Sequence, residues 1–280
     1  MHTCILLLQC RDQKGIVAKL ADFIFKSGAN IIAADQYSTD PQGGYFFIRL
    51  EFVVSAASCA RSALEKGLGV IAAELGAQFS LYDRDKPLRM GICVSRPGHC
   101  LAEILYLWAE GELKVEIPFV ISNFRGHRQL ARQHKVPFYF IPATKNNRRE
   151  NTLLKIIAAR TDFLVLSRYM LVLSKKFLSA YGKDILNIHH GFLPSFKGSN
   201  PYKQALSSGV KVIGATSHFV TEKLDAGPII SQAVEGVSHK DGLEDLVRKG
   251  RNLEKKALIE AIRAYIDYRV IQHDNKTIVF

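Results

Sequence analysis

Short apolar runs separated by amphipathic stretches fill the chain, and they fall into two series. In the first, residues 4–10 (CILLLQC) form an apolar run of strand length, followed by the turn Arg11-Asp12-Gln13-Lys14-Gly15. Ile16, Val17, Leu20, Phe23 and Ile24 then recur at helical spacing, and Gly28 with Asn30 ends that helix. Two more strand-like runs, 31–38 and 45–53, flank Asp40-Pro-Gln-Gly-Gly44, a hairpin loop by composition. A helical stretch over about 56–75 and a last strand at 78–82 complete the order strand–helix–strand–strand–helix–strand. That order predicts a ferredoxin-like split βαβ sandwich over residues 1–84.

The second series begins beyond a charged, proline-ended linker at 85–88. Strands at 89–94, 117–122, 137–141, 163–166 and 185–188 alternate with helices near 101–110, 126–134, 150–160 and 174–180. Alternation of this kind predicts an α/β domain over 89–280, built on a doubly wound, mainly parallel sheet. Ligands of such sheets collect beyond the carboxyl ends of the strands. Two further strands are expected at 212–220 and 229–237. After Gly242, apolar Leu243, Leu246, Val247, Leu253, Ala257, Ala261 and Tyr265 mark a long amphipathic helix.

Composition narrows the class. Hydrophobic residues make up 48% of the 280, which describes a folded protein, and no apolar run approaches the ~18–20 residues that span a bilayer. The stretch MHTCILLLQCRDQKG carries neither a basic leader nor a small-residue cleavage site, so no signal peptide is expected. The five cysteines lack paired spacing, which suits reduced thiols in a cytoplasm and offers no structural zinc site. The net charge of +12 is unevenly placed: residues 1–84 hold eight basic and eight acidic side chains, leaving the excess to the second series. A basic domain suits an anionic small ligand. Dense basic runs, zinc-finger spacing and an RNP-like aromatic motif are all missing, so nucleic acid is not an expected partner.

Candidate chemistry gathers where the strand at 185–188 ends. Asn187 there faces the crevice, where its amide could donate to an oxygen gaining negative charge. His189 is suited to moving protons near neutral pH. A carboxylate partner is offered by Asp225, held between two predicted strands in a turn completed by Gly227 and Pro228. Taken singly, Asn187 suits a turn, His189 a hydrogen-bonded core and Asp225 an Asx turn. Together they fall at expected crevice positions.

These residues also carry a resemblance. Asn187-Ile-His189-His190-Gly-Phe-Leu193-Pro194-Ser195-Phe-Lys-Gly198 and Asp225-Ala-Gly227-Pro-Ile229 resemble the two signatures of folate-dependent formyltransferases, and the likeness covers 89–280. It implies a formyltransferase-type, Rossmann-like fold with Asn187, His189 and Asp225 as catalytic residues. It further implies a folate pocket lined by Arg168, Tyr169, Met170, Val172 and Leu173, with His190 and Gly227 beside it. The first 84 residues, through their element order and RDQKGIV turn, resemble an ACT domain. A small amino-acid effector would then sit near Asp12 and Gly15, although Asp12 could equally cap the helix and Gly15 serve only the turn.

Ser95-Arg-Pro-Gly-His99-Cys100 lacks the Gly-rich phosphate cradle of the ribonucleotide transformylases, and an RNA-binding domain after the last helix is not expected. With the ACT-like segment, SRPGHCL at 95–101, ISN at 121–123 and the paired histidines, the chain is similar to the deformylase branch of the family. Two positions depart from that branch: Gly191 stands where Ser is usual and Leu171 where Gln is usual. The branch implies hydrolysis of 10-formyltetrahydrofolate to tetrahydrofolate and formate, feeding purine synthesis and balancing the one-carbon folate pool. The alternative is transfer of the formyl group to an amine. No cofactor or metal is implied, because the formyl carbon is activated by its aryl nitrogen, and the excess positive charge suits the folate glutamate tail. A homo-oligomer, dimer or tetramer, is expected through an apolar face and the open edges of the first sheet.

Overall fold

The computed structural model describes residues 2–40, 42–54, 61–195 and 201–280. Two compact units result: residues 1–86 with Asp267–His273 and Ile278–Phe280, and residues 87–266 with 274–277.

The first unit runs β1 (His2–Arg11), α1 (Ile16–Lys26), β2 (Ala29–Ser38), β3 (Tyr45–Val54), α2 (Arg61–Leu75) and β4 (Gln78–Asp83). Its sheet is antiparallel in the order β2-β3-β1-β4, the ferredoxin-like arrangement. The part of the expected helix at 56–60 lies outside the described residues. Gly15 is left-handed (φ 89°), and α1 starts directly after it. β1 is apolar without alternation because both its faces are covered. Cys4, Leu6, Leu8 and Cys10 meet Ile16, Leu20 and Ile24 of α1 and Leu64 and Leu68 of α2 in one core. Ile5 and Leu7, with Phe47 of β3, point the other way.

That second face corrects the expected domain limits and the expected free apolar surface. The last residues, read from sequence as part of 89–280, return to the first unit, where Tyr268, Ile271, Ile278 and Phe280 pack on Ile5, Leu7 and Phe47. Tyr268 stacks on Tyr82 at 4.1 Å between centroids. The buried Arg49 guanidinium donates to the Tyr268 and Asp267 carbonyls, each at 3.2 Å, and pairs with Glu51 at 2.9 Å. Burying an apolar face this way is worth ~25 cal/mol per Å², which drives the chain back across the sheet. The segment forms a hairpin of its own, described below, that periodicity did not reveal.

The second unit runs β5 (Leu88–Val94), α3 (His99–Ala109), β6 (Val115–Glu116), β7 (Val120–Ser122), α4 (Arg128–Gln133), β8 (Phe138–Phe140), α5 (Glu150–Ile157) and β9 (Phe163–Ser167). It continues with α6 (Lys175–Tyr181), β10 (Ile185–His189), α7 (Pro201–Ser207), β11 (Val212–Phe219), β12 (Ile229–Gly236) and α8 (Leu243–Ile266). The C-terminal hairpin is β13 (Val270–His273) and β14 (Lys276–Val279). Strand order in the second unit is β12-β11-β10-β9-β5-β7-β8, with β6 also paired to β5. All pairs from β10 to β8 are parallel, while β11 and β12 run antiparallel, so the sheet is doubly wound and mainly parallel as expected. The chain winds outward from β5 through β7 to β8, then returns to β9 and β10. The strand order therefore reverses between β5 and β9, and that switch point opens a crevice at their carboxyl ends.

α8 packs Leu253, Ala257 and Ala261 inward, as its periodicity predicts, but Leu243 is exposed and Glu254 is fully buried. An ionised carboxylate inside a helix core demands partners. Those partners lie at the site.

Candidate active site

β10 carries the site because it is short, buried and central. Asn187 and His189 are two residues apart and share one face of the sheet. The antiparallel partner β11 places His218 opposite Asn187 and Thr216 opposite His189. Asp225 arrives from the loop between β11 and β12 in a left-handed conformation (φ 49°). The turn is pinned behind it: Phe219 N donates to the Pro228 carbonyl over 2.9 Å, and a Cβ at Gly227 would come within 1.8 Å of the Phe219 carbonyl oxygen. Only glycine permits that approach. Gly227 is thus a turn residue and does not line the cavity, contrary to the substrate contact expected of it.

His189 Nδ1 lies 3.2 Å from Asp225 Oδ2. Burial pushes the Asp225 carboxyl up, but its hydrogen bond to His189 and the electrostatic pull of the neighbouring imidazole rings outweigh this and hold it below the ordinary carboxylate range. His218 Nδ1 is 2.8 Å from the Phe219 carbonyl and therefore carries the hydrogen, leaving Nε2 to accept from Asn187 Nδ2 at 3.1 Å. Burial lowers the His218 pKa, which keeps that ring neutral. His218 was not anticipated from sequence. Its signal is a strand register, which the residue pattern does not disclose.

A cavity of about 280 Å³ opens on these groups. Asn187, His189, His190, His218 and Asp225 line one side. The expected folate residues Arg168, Tyr169, Met170, Val172 and Leu173 all line it too, with Tyr169 and Leu173 buried in the wall and Met170 and Val172 half-exposed at the rim. The 168–170 backbone is tied to the end of β5: Ser95 N donates to the Arg168 carbonyl (3.2 Å), and Met170 N donates to Ser95 Oγ (3.0 Å). This tie sits at the switch point. Lys145 and Lys223 also line the cavity.

His190 stands 5.3 Å from the His189 ring and 6.0 Å from Tyr202. Burial first, and the Arg168 charge second, push its pKa down to about 3. Behind it lies the buried Glu254, with His99 Nε2 at 2.8 Å, the Tyr202 hydroxyl donating at 2.6 Å and Arg168 Nε at 3.3 Å. His99, Cys100 and Glu254 bring possible ligand atoms within 4.8 Å of one another. The chemistry is unfavourable to a cation, because the Arg168 guanidinium already balances Glu254 and burial pushes the Cys100 thiol far above its usual range.

The effector candidates lie in the first unit. Asp12 accepts a hydrogen bond from the Ser38 hydroxyl and does not cap α1, which has no side-chain cap. Gly15 makes the turn before that helix.

Fold and site define a formyl-transferring type of α/β domain joined to an ACT domain: residues 88–262 match the formyl transferase family and residues 5–55 the ACT domain. A formyltetrahydrofolate deformylase of Bacillus subtilis is 44% identical over 98% of this chain and 93% of its own length. One from Synechocystis is 41% identical over 99% of this chain and 98% of its own. The crystal structure of another, from Pseudomonas syringae, superimposes with a TM-score of 0.95 at 39% identity, covering 100% of this chain and 95% of that one. The chain belongs to the formyltetrahydrofolate deformylase family.

Proposed function

We propose that the protein hydrolyses 10-formyltetrahydrofolate to tetrahydrofolate and formate, with Asn187, His189 and Asp225 as its catalytic residues. The observation that carries the assignment of roles is the chain of contacts Asp225–His189 and His218–Asn187 on the wall of one cavity. Water attacks the formyl carbon, and the carbonyl electron pair moves onto oxygen. Asn187 offers its second amide hydrogen to that oxyanion, since the first is committed to His218. His189, paired with Asp225 through Nδ1, accepts the proton from water and delivers one to the departing nitrogen as the C–N bond breaks. Asp225 holds the ring and stabilises its charged form.

Apolar Tyr169, Val172 and Leu173 suit the flat pterin ring, while Lys145 and Lys223 suit the glutamate carboxylates. The buried thiols of Cys4, Cys10, Cys93 and Cys100 suit a reducing cytoplasm, and no described helix is long and apolar enough to cross a membrane. The edge strand β2, which exposes Ile32 and Tyr37, suits pairing between copies in a homo-oligomer, and Asp12 with Gly15 remains the candidate effector corner. The formate would serve purine synthesis.

The test is product analysis with purified protein and 10-formyltetrahydrofolate, with and without added amines. Formate equal to tetrahydrofolate in both cases is expected. A formylated amine formed in proportion to tetrahydrofolate would instead establish the transferase.

A further inference from the structure

Residues 117–149 contain seven Lys or Arg and no Asp or Glu, against a net charge of +12 for the whole chain. Along the sequence these cations are too scattered to form a dense run, but the fold gathers them around α4 and the segment after the edge strand β8. All seven are exposed, and among the described residues Arg148 alone has a carboxylate partner, Glu150 at 4.0 Å. Like charge gathered without counter-charge sets up a field that draws anions. Arg125, Arg128 and Arg132 follow helical spacing and line one open depression. The Arg125 guanidinium lies 4.5 Å from the Phe140 ring centroid, and that of Arg128 lies 5.9 Å from Phe138. Those rings hold the two arginines in place, while both side chains stay exposed to a carboxylate.

A pair of hydrogen bonds ties this depression to the active-site cavity. Asn123 Nδ2 donates to the Ala143 carbonyl over 3.2 Å, and Ile141 N donates to the Ser122 carbonyl over 2.9 Å. Two residues beyond Asn123 stands Arg125, and two beyond Ala143 stands Lys145, which lines the cavity. We propose that the arginine face binds the outer glutamates of a poly-γ-glutamyl folate, making the polyglutamylated form of 10-formyltetrahydrofolate the preferred substrate. This rests on the hydrolytic reading above, with Lys145 meeting the first glutamate. β8 lies three strands from β9, roughly 14 Å at ~4.8 Å per strand. An extended α-linked residue reaches ~3.5 Å, and the two extra carbons of a γ link bring each unit to roughly 6 Å. About two or three units beyond the first therefore cover the distance. Their carboxylates repeat at nearly the ~5–6 Å that separates side chains one helical turn apart. A single-stranded nucleic acid fits less well, because the rings that would stack its bases are already covered by Arg125 and Arg128.

The experiment compares the monoglutamate and pentaglutamate forms of 10-formyltetrahydrofolate on the full-length protein, by initial rates at low and at physiological ionic strength. The wild type should show a KM at least about fivefold lower for the pentaglutamate, with kcat unchanged, and salt should shrink the difference. In Arg125→Gln/Arg128→Gln/Arg132→Gln the pentaglutamate KM should rise to the monoglutamate value. Monoglutamate kcat/KM should stay at the wild-type level, which reports an intact fold. Arg132→Gln alone should remove part of the preference, even where the triple variant fails to fold. Equal KM values for the two substrates in the wild type, or a preference that survives the triple substitution, overturns the tail site and leaves hydrolysis standing. Binding of single-stranded RNA through these arginines without discrimination between the two folates assigns the face to nucleic acid and likewise overturns it. Failure of both folates to yield formate would sink the hydrolytic reading, and this inference with it.

Discussion

Asn187 on β10 and His218 on β11 face each other across an antiparallel pair, and the Asn187 amide donates to His218 Nε2 over 3.1 Å. The histidine accepts because its other nitrogen donates to the Phe219 carbonyl. β11 thereby sets the orientation of the amide that is to meet the oxyanion. His218→Phe should remove this anchor and lower kcat by roughly 10–10², with little change in KM, since the loss falls mainly on the transition state. Steady-state kinetics decide. An unchanged kcat would mean that Asn187 holds its orientation without β11.

His189→Ala and Asp225→Ala should each reduce turnover by roughly 10²–10⁴ while the fold survives. Far-UV circular dichroism and single-turnover rates together check both halves. Retention of near wild-type rates would remove these residues from the mechanism.

Stability should fall with acidity in a window set by the buried histidines. His190 titrates at about 3 in the folded chain, against 6.5 ordinarily. Below that ordinary value the unfolded chain binds a proton that the native one refuses, so native stability declines as pH falls from 6.5 toward 3 and is unaffected above. The slope is about 1.4 kcal/mol per pH unit for one such group. His218 acts in the same direction. Asp225, whose carboxyl is lowered, stabilises the fold above the ordinary carboxylate range and loses that contribution only as pH falls through its own lower value. His190→Gln should therefore flatten the dependence of Tm on pH between about 6.5 and 4.5. An unaltered slope would show that His190 is protonated in the native state.

The covered face of the first sheet should be worth measurable stability. Ile271 is buried against Ile5, Leu7 and Phe47, and Ile271→Ala should cost about 2–4 kcal/mol in denaturant unfolding. A chain ending at 266 should expose the whole face and aggregate. If such a truncation unfolded at the wild-type denaturant midpoint, the packing of the C-terminal segment would be incidental.

Local pattern was enough to place most elements, because strand and helix periods are properties of neighbouring residues. β9, β10 and α8 begin and end within a few residues of where apolar spacing puts them, and Asn187 with His189 declares a shared face through a spacing of two. Asp225-Ala-Gly227 was legible as a turn for the same reason, since its conformational demands are local. Other features depend on which distant segments meet. The register that sets His218 against Asn187, the return of Tyr268 and Ile271 to β1, and the meeting of Arg168 with Glu254 are results of burying apolar faces in three dimensions. No periodicity along the chain encodes them. Glu254 shows the difference most plainly: in sequence it is one more charge on a long helix, and only packing makes it the buried partner that holds an arginine at the mouth of β9.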